Sequence, residues 1–337
     1  MDSQLSKKPL PKNKISENNV FSLFPNKTQV ANHSRALLLP LLGILLFLML
    51  WHLSARQVQT SLGTLPGPVQ TAQQFGHLVS DHWAEREKEV AFVERQEKRN
   101  AAKLEKDPDA KVKIRPYTGK PTFFDQIATS LITVACGFLL ASFIAIPAGI
   151  VLGLNHNLYQ AFNPVIQLLK PVSPLAWLPI VTMVVSATYV SSDPLVAKSF
   201  VNSLLTVALC SLWPTLINTA VGVTSVDKDL VNVSRVLRLS WWKHIWTIVL
   251  PSAIPMIFTG LRLSLGVAWM VLIAAEMLAQ NPGLGKFVWD EFQNGSSASL
   301  GRIMVAVITI GFIGLLLDRG MLVLQKSVSW DKQQILR

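Results

Sequence analysis

The chain has 337 residues, of which half are apolar and only 15% are charged. A soluble protein of this length carries nearer a quarter charged residues; here the apolar residues gather in runs that suit lipid rather than water. The net charge of +11 does not point to nucleic acid, because the surplus cations lie at the two ends and in one internal loop beside apolar runs, as the positive-inside rule expects. Cys136 and Cys210 fall inside apolar runs, so neither a disulfide framework nor a metal spacing follows from them.

Residues 1–35 are polar and carry Lys7, Lys8, Lys12, Lys14, Lys27 and Arg35 against Asp2 and Glu17, the composition of a cytoplasmic tail. Residues 36–53 are a Leu-rich run just long enough to cross a bilayer of roughly 30 Å at about 1.5 Å per residue. The long polar stretch ahead of it favours an uncleaved anchor over a signal peptide cut near Ala55. Residues 54–125 change character: Trp83–Lys106 is a mixed-charge run with pairs such as Glu94 and Lys98 at helical spacing. A solvated helix is expected there, followed by a Pro-containing extended piece over Lys111–Pro121. Either a plain solvated segment or a docking surface fits it.

Five further spans are expected over Gln126–Leu154, Pro164–Val190, Ser199–Gly222, Ser252–Ala279 and Leu300–Val323. The prolines and glycines inside them are tolerable in a membrane bundle, where small residues permit close packing and neighbours satisfy freed backbone groups. Counting from a cytoplasmic N-terminus, residues 54–125, 191–198 and 280–299 lie outside. Residues 155–163, 223–251 and the tail 324–337 lie inside. Thr224–Leu250 and Arg319–Arg337 carry four Lys/Arg each, so charge and parity agree. The fold class expected is all-α and integral to the membrane, with six spans, the last five forming a unit over residues 126–323.

The loop between the fourth and fifth spans, residues 224–250, is the most informative stretch. Leu230, Val233, Val236, Leu237 and Ser240 share one helical face, and Ser225 or Asp227 can cap its start. A second short helix is expected from Ser240 to Leu250, where Pro251 opens the next span. By periodicity alone two uses stay open: an amphipathic helix lying in the lipid headgroups, or one laid into the groove of a cytoplasmic partner.

This loop resembles the signature of permease subunits of ATP-binding cassette importers, in which Glu-Ala-Ala is followed after three residues by Gly and later by Ile-x-Leu-Pro. The corresponding residues are Asn232-Val233-Ser234, then Arg238, then Ile248-Val249-Leu250-Pro251; the glutamate, the paired alanines and the glycine are all replaced. The stretch Leu169-Lys-Pro-Val-Ser-Pro-Leu-Ala-Trp-Leu-Pro-Ile180 resembles the nitrate, sulfonate and taurine permeases. So do Pro251-Ser-Ala-Ile-Pro255, Thr259-Gly-Leu-Arg262 and Gly266-Val-Ala-Trp-Met-Val-Leu-Ile-Ala-Ala-Glu-Met277. Residues 232–240, the loop 280–296 and the insert ending Ile114-Arg-Pro-Tyr-Thr-Gly119 resemble the nitrate branch.

The resemblance implies a core of the type I importer kind in the bacterial inner membrane, with both termini cytoplasmic. It implies a second permease copy, a periplasmic substrate-binding protein and cytoplasmic ATPase subunits that use ATP and Mg. Asn232, Val233, Ser234, Arg235, Val236, Leu237, Arg238, Leu239 and Ser240 are the expected ATPase-coupling residues, with Arg235 and Arg238 as rim contacts. No Gly-x-x-x-x-Gly-Lys-Ser/Thr loop is present, so a translocation subunit without its own ATPase site is expected, holding no cofactor, metal or catalytic residue. Small anions fit the substrate: nitrate first, with bicarbonate, nitrite, cyanate or a sulfonate such as taurine as alternatives.

Ionisable residues inside spans are functional by default. Arg262 lies about 11 residues past Pro251, where it either attracts an anion or binds backbone carbonyls and fixes helix packing. Lys170 and Asp318 are placed to snorkel to the inner edge, and Glu276 to pair with a cation or cap the outer loop. Trp177 and Trp269 either complete the candidate substrate path with Lys170 and Arg262 or serve in ordinary aromatic packing. His156 and His244 lack neighbours at ligand spacing. Two rival classes remain: a self-sufficient secondary transporter or channel, which calls for internal repeats, and an intramembrane enzyme, which calls for clustered catalytic side chains. Neither pattern is visible in the sequence.

Overall fold

A computed structural model describes residues 27–60, 63–107, 111–112, 114–190, 196–296 and 298–328, with side chains from Leu38 onward. The tails 1–26 and 329–337 lie outside the described residues. The chain divides into two units after Val58. The first holds α1 (Lys27–Gln57), whose segment Leu38–Gln57 is long and apolar enough to cross a membrane. Leu39, Leu42, Leu46 and Leu50 are all exposed, as suits a helix whose solvent is lipid.

The second unit opens with a short hairpin, β1 (Gln59–Thr60) against β2 (Gly63–Thr64), with Gln59 opposite Thr64. Then comes α2 (Pro68–Lys106). It starts well before Trp83, because Pro68 sits in the first turn, where a missing N–H is harmless. The segment 114–122 runs back along it in extended form. Gln96 holds the Arg115 backbone through both amide atoms (2.9 and 3.2 Å), Tyr117 donates to Glu85 (2.7 Å), and His82 meets Thr122 (2.8 Å). The Tyr117 bond lowers the Glu85 pKa, and the carboxylate in turn raises that of Tyr117. Arg86 reaches Asp125 (3.0 Å), which with Thr122 forms the capping box of α3 (Phe123–Leu154).

The centre of this unit is α6 (Lys198–Thr224), packed between α3 and α9 (Leu250–Ala279). Small residues set the spacing. A Cβ on Gly149 would meet the Leu216 carbonyl and Thr219 at 2.7 Å, and one on Gly260 would meet Asn218 and Thr215 at 2.9 Å. One polar tie crosses the layer between α6 and α9: Ser264 accepts both the Thr215 N–H (3.0 Å) and its hydroxyl (2.7 Å), which satisfies those two donors away from water.

The span expected over Pro164–Val190 is broken and begins earlier. The chain makes α4 (His156–Leu169), turns at Lys170-Pro171, and restarts as α5 (Pro174–Thr188) bent 100° from it. Ser173 caps α5 by accepting the Leu175 N–H (3.3 Å), and its extended backbone is the conformation a following proline favours. Five helices among the described residues are long and apolar enough to cross a membrane, and the bent pair makes a sixth if it counts as one span.

A second difference lies before α9. The break expected at Pro251 is absent: α8 (Trp241–His244), a π-helical turn (Ile245–Val249) and α9 run on as one apolar helix over Trp241–Ala279. Pro251 has no N–H to give, and the wider i→i+5 pattern immediately ahead of it accommodates that gap. The outer loop expected over 280–299 contains α10 (Leu284–Asn294), with Leu284 and Phe287 buried. The described chain ends with α11 (Ser299–Val328).

Candidate functional site

The loop 224–250 holds α7 (Lys228–Val236), opened by Asp227, whose carboxylate accepts the Asp229 N–H (2.9 Å). The helix therefore takes in Asn232, Val233, Ser234, Arg235 and Val236 but stops short of the expected end at Ser240. Arg238 ends it. Its φ is +47°, and the Arg238 N–H reaches the Arg235 carbonyl (3.1 Å) while the Leu239 N–H reaches that of Ser234 (3.1 Å). This is the Schellman closure, whose left-handed position favours glycine. Arg238 stands where the importer signature has its glycine, so the sequence departure is a local strain of roughly 1 kcal/mol. Ser240 then leads into α8, accepting the His244 backbone N–H (2.8 Å).

The two faces of α7 differ. On one, Val233 is 50% exposed, Val236 82% and Leu237 63%, and together with Asp229 and Asn232 they border a shallow cavity of about 410 Å³. An apolar strip this bare packs against nothing among the described residues. The opposite face is held by Ser234, which is buried and hydrogen-bonded to His244 Nδ1 (2.8 Å). His244, given no role by its sequence neighbours, thus anchors α7 to the base of the α8–α9 helix. Arg235 turns toward this second face, lining a cavity with His244 and Asn232, rather than standing at the rim of the apolar strip.

The four candidate path residues do not converge on one point. Arg262 neither binds backbone carbonyls nor stands free: its Nε and Nη2 donate to the two carboxylate oxygens of Asp318 (2.5 and 2.9 Å), clamping α9 to α11. Asp318 is therefore paired with a cation of the neighbouring helix. Opposite charges at hydrogen-bond range are the cheapest way to hold either inside an apolar layer. Trp269 is buried, and its indole N–H donates to the Ile310 carbonyl (3.0 Å); it packs between α9 and α11 instead of lining an open path. Trp177 packs against the same apolar cluster. Lys170 is exposed on the α4–α5 turn.

Glu276 is completely buried and carries more structure than its sequence context suggested. It accepts the Ser130 hydroxyl (2.8 and 2.9 Å) and the Gly285 N–H (3.0 Å), and Ser130 in turn accepts the Leu284 N–H (2.8 Å). One carboxylate thereby pins the start of α10 to α3 and α9. No cation pairs with it among the described residues.

The profile of the family described as "Binding-protein-dependent transport system inner membrane component" matches residues 145–330. The chain is 40% identical over 205 residues to the nitrate import permease protein NrtB of Leptolyngbya laminosa, covering 60% of this chain and 68% of that one. It is 36% identical over 302 residues to the bicarbonate transport system permease protein CmpB of Synechococcus elongatus, covering 89% of this chain and 90% of the other. Among solved structures, the inward-facing MetNI methionine ABC transporter shares the fold with a TM-score of 0.51 at 14% identity, over 61% of this chain and 95% of that one. The chain belongs to the binding-protein-dependent transport system inner membrane components, the permease subunits of ATP-binding cassette importers.

Proposed function

We propose that this permease moves a small inorganic anion, nitrate in the first instance, and that separate ATPase subunits drive it through α7. The observation that carries the coupling role is the bare apolar face of Val233, Val236 and Leu237 on a helix fixed from behind by the Ser234–His244 bond. Such a face buries itself in a partner's groove. Closure of two ATPase domains that use ATP and Mg would move α7 and, through His244 and the continuous helix above it, α9.

The reading places loop 224–250 and both termini in the cytoplasm and residues 59–122 outside, where a substrate-binding protein delivers its cargo. A second copy of the chain completes the path. Arg262 keeps a place at the path only as half of the neutral Arg262–Asp318 pair, so it shapes the wall more than it attracts charge. Lys170, exposed at the α4–α5 turn, is the better candidate to draw an anion.

Nitrate is favoured by the relatives named nitrate import permease. Bicarbonate is a second reading, favoured by a match that extends over 89% of this chain, including the outer segment. Uptake of labelled nitrate and bicarbonate at micromolar concentration, in a strain lacking this gene, tests both. Loss of nitrate uptake alone is the expected result. Unchanged nitrate uptake with bicarbonate uptake lost would transfer the assignment to bicarbonate.

A further inference from the structure

The second face of α7 has a use that coupling leaves unexplained. Lys228, Val231, Asn232 and Arg235 follow one helical stride and line a cavity of about 560 Å³ with His156 and His244. Its remaining walls are Val226, just before α7, and the ends of spanning helices: Gly153 and Leu154 of α3, Val223 and Thr224 of α6, and Val249 before α9. The lining contains two permanent cations and two imidazoles and not one carboxylate. Asp227 is occupied capping α7, and Asp229 lies on the apolar side of the helix. None of the ion pairs among the described residues involves Lys228 or Arg235.

An uncompensated pair of cations in a recess attracts an anion. The surroundings say which kind. Trp241, Trp242 and Trp246, all more than half exposed, follow one another along the adjoining α8 and π turn. Exposed tryptophans gathered at the end of a spanning helix mark the level of the lipid headgroups, and basic recesses between spanning helices at that level take anionic headgroups.

We infer that this cavity binds the phosphate of an anionic phospholipid headgroup between Lys228 and Arg235, so that α7 rests on lipid on one face while offering the other to the ATPase. The inference rests on the inward placement of this loop proposed above. A bound headgroup would hold the height of α7 relative to the bilayer and leave the apolar face free.

The test uses the permease–ATPase complex in neutral detergent with equal phosphatidylglycerol and phosphatidylcholine, counting retained lipids by native mass spectrometry. The wild-type complex should keep phosphatidylglycerol in preference to phosphatidylcholine. At about fivefold per cation near the lipid surface, K228Q/R235Q should lower that retention about 25-fold. Val90→Ala, exposed on α2 and away from both faces of α7, should leave it unchanged, which ties the loss to the cavity rather than to substitution as such. Equal retention by K228Q/R235Q would overturn the inference. So would displacement of the lipid by millimolar inorganic phosphate, which would make the ligand a free oxyanion. Retention by the permease alone that vanishes when the ATPase binds would also overturn it, placing an acidic side chain of the partner in the cavity. Because the readout is lipid retention, failure here leaves the transport assignment standing.

Discussion

Replacing Val236 by Asp should detach the ATPase while leaving the permease folded and inserted. Val236 is 82% exposed and Leu237 63%, so most of each side chain remains to be buried by a partner. Fully burying such a side chain contributes about 1.5–3 kcal/mol. Scaled by these exposures, Val236 supplies roughly 1–2 kcal/mol and Leu237 a similar amount. Val236→Ala should then weaken association about tenfold. Val236→Asp should weaken it further, because a carboxylate would have to leave water without a partner. The assay is capture of the ATPase by tagged permease in detergent, with affinity measured at several protein concentrations. Val90→Ala serves as the control, since Val90 is 57% exposed but lies on α2, in the segment assigned to the outside. Full assembly of V236D at wild-type affinity would refute the reasoning.

Other consequences follow from single contacts. Arg238→Gly should raise the thermal midpoint by a few degrees, since glycine takes a φ of +47° without strain, while Arg238→Val should lower it. A falling midpoint for the glycine variant would show that the arginine side chain outweighs its backbone cost. Asp318→Asn should impair assembly or transport by leaving Arg262 unpaired inside the apolar layer, and the exchanged pair R262D/D318R should recover part of the loss; two singles and a double that behave alike would argue against a clamp. The contact of Glu85 with Tyr117 should be insensitive to pH through the physiological range. The Glu85 pKa is lowered, so its contribution is complete above the usual glutamate value near 4.3 and is lost only as pH falls through the lower folded value. The Tyr117 pKa is raised, so that side fades only as pH rises through a value above about 10. Protection of residues 114–122 from proteolysis should be flat from pH 6 to 9 in wild type and lower throughout in Tyr117→Phe; a midpoint inside that interval would contradict it.

Much of the bundle is legible in the sequence because lipid imposes a simple rule, a long apolar run for each crossing, and α3, α6, α9 and α11 obey it. The bent α4–α5 pair was harder. Its apolar residues continue through the break, and only Pro171 and Ser173-Pro174 signalled a turn, in a chain where other prolines, such as Pro147 and Pro214, sit inside intact helices. The same ambiguity misplaced the break at Pro251, where a π turn absorbs the missing donor. α10 had a readable signal in Leu284, Phe287, Val288 and Glu291 at helical spacing, masked by the Asn281-Pro282-Gly283 turn before it.

At the candidate site, the sequence identified the apolar face of α7 but not where the helix ends. That depends on a left-handed arginine, which no propensity favours. The second face escaped notice because its cations come from α7 while its walls come from three spanning helices far apart in the chain. Likewise Arg262 and Asp318, 56 residues apart, share a clamp that spacing alone does not reveal.

On the function proposed above, this chain supplies the path while another protein supplies the energy. Proteoliposomes containing the permease alone, the permease with its ATPase, and both with the binding protein, loaded with ATP at the ATPase side, test it directly through nitrate accumulation. Only the complete set should concentrate nitrate against its gradient, and V236D should abolish that accumulation. Concentrative uptake by the permease alone would contradict the account.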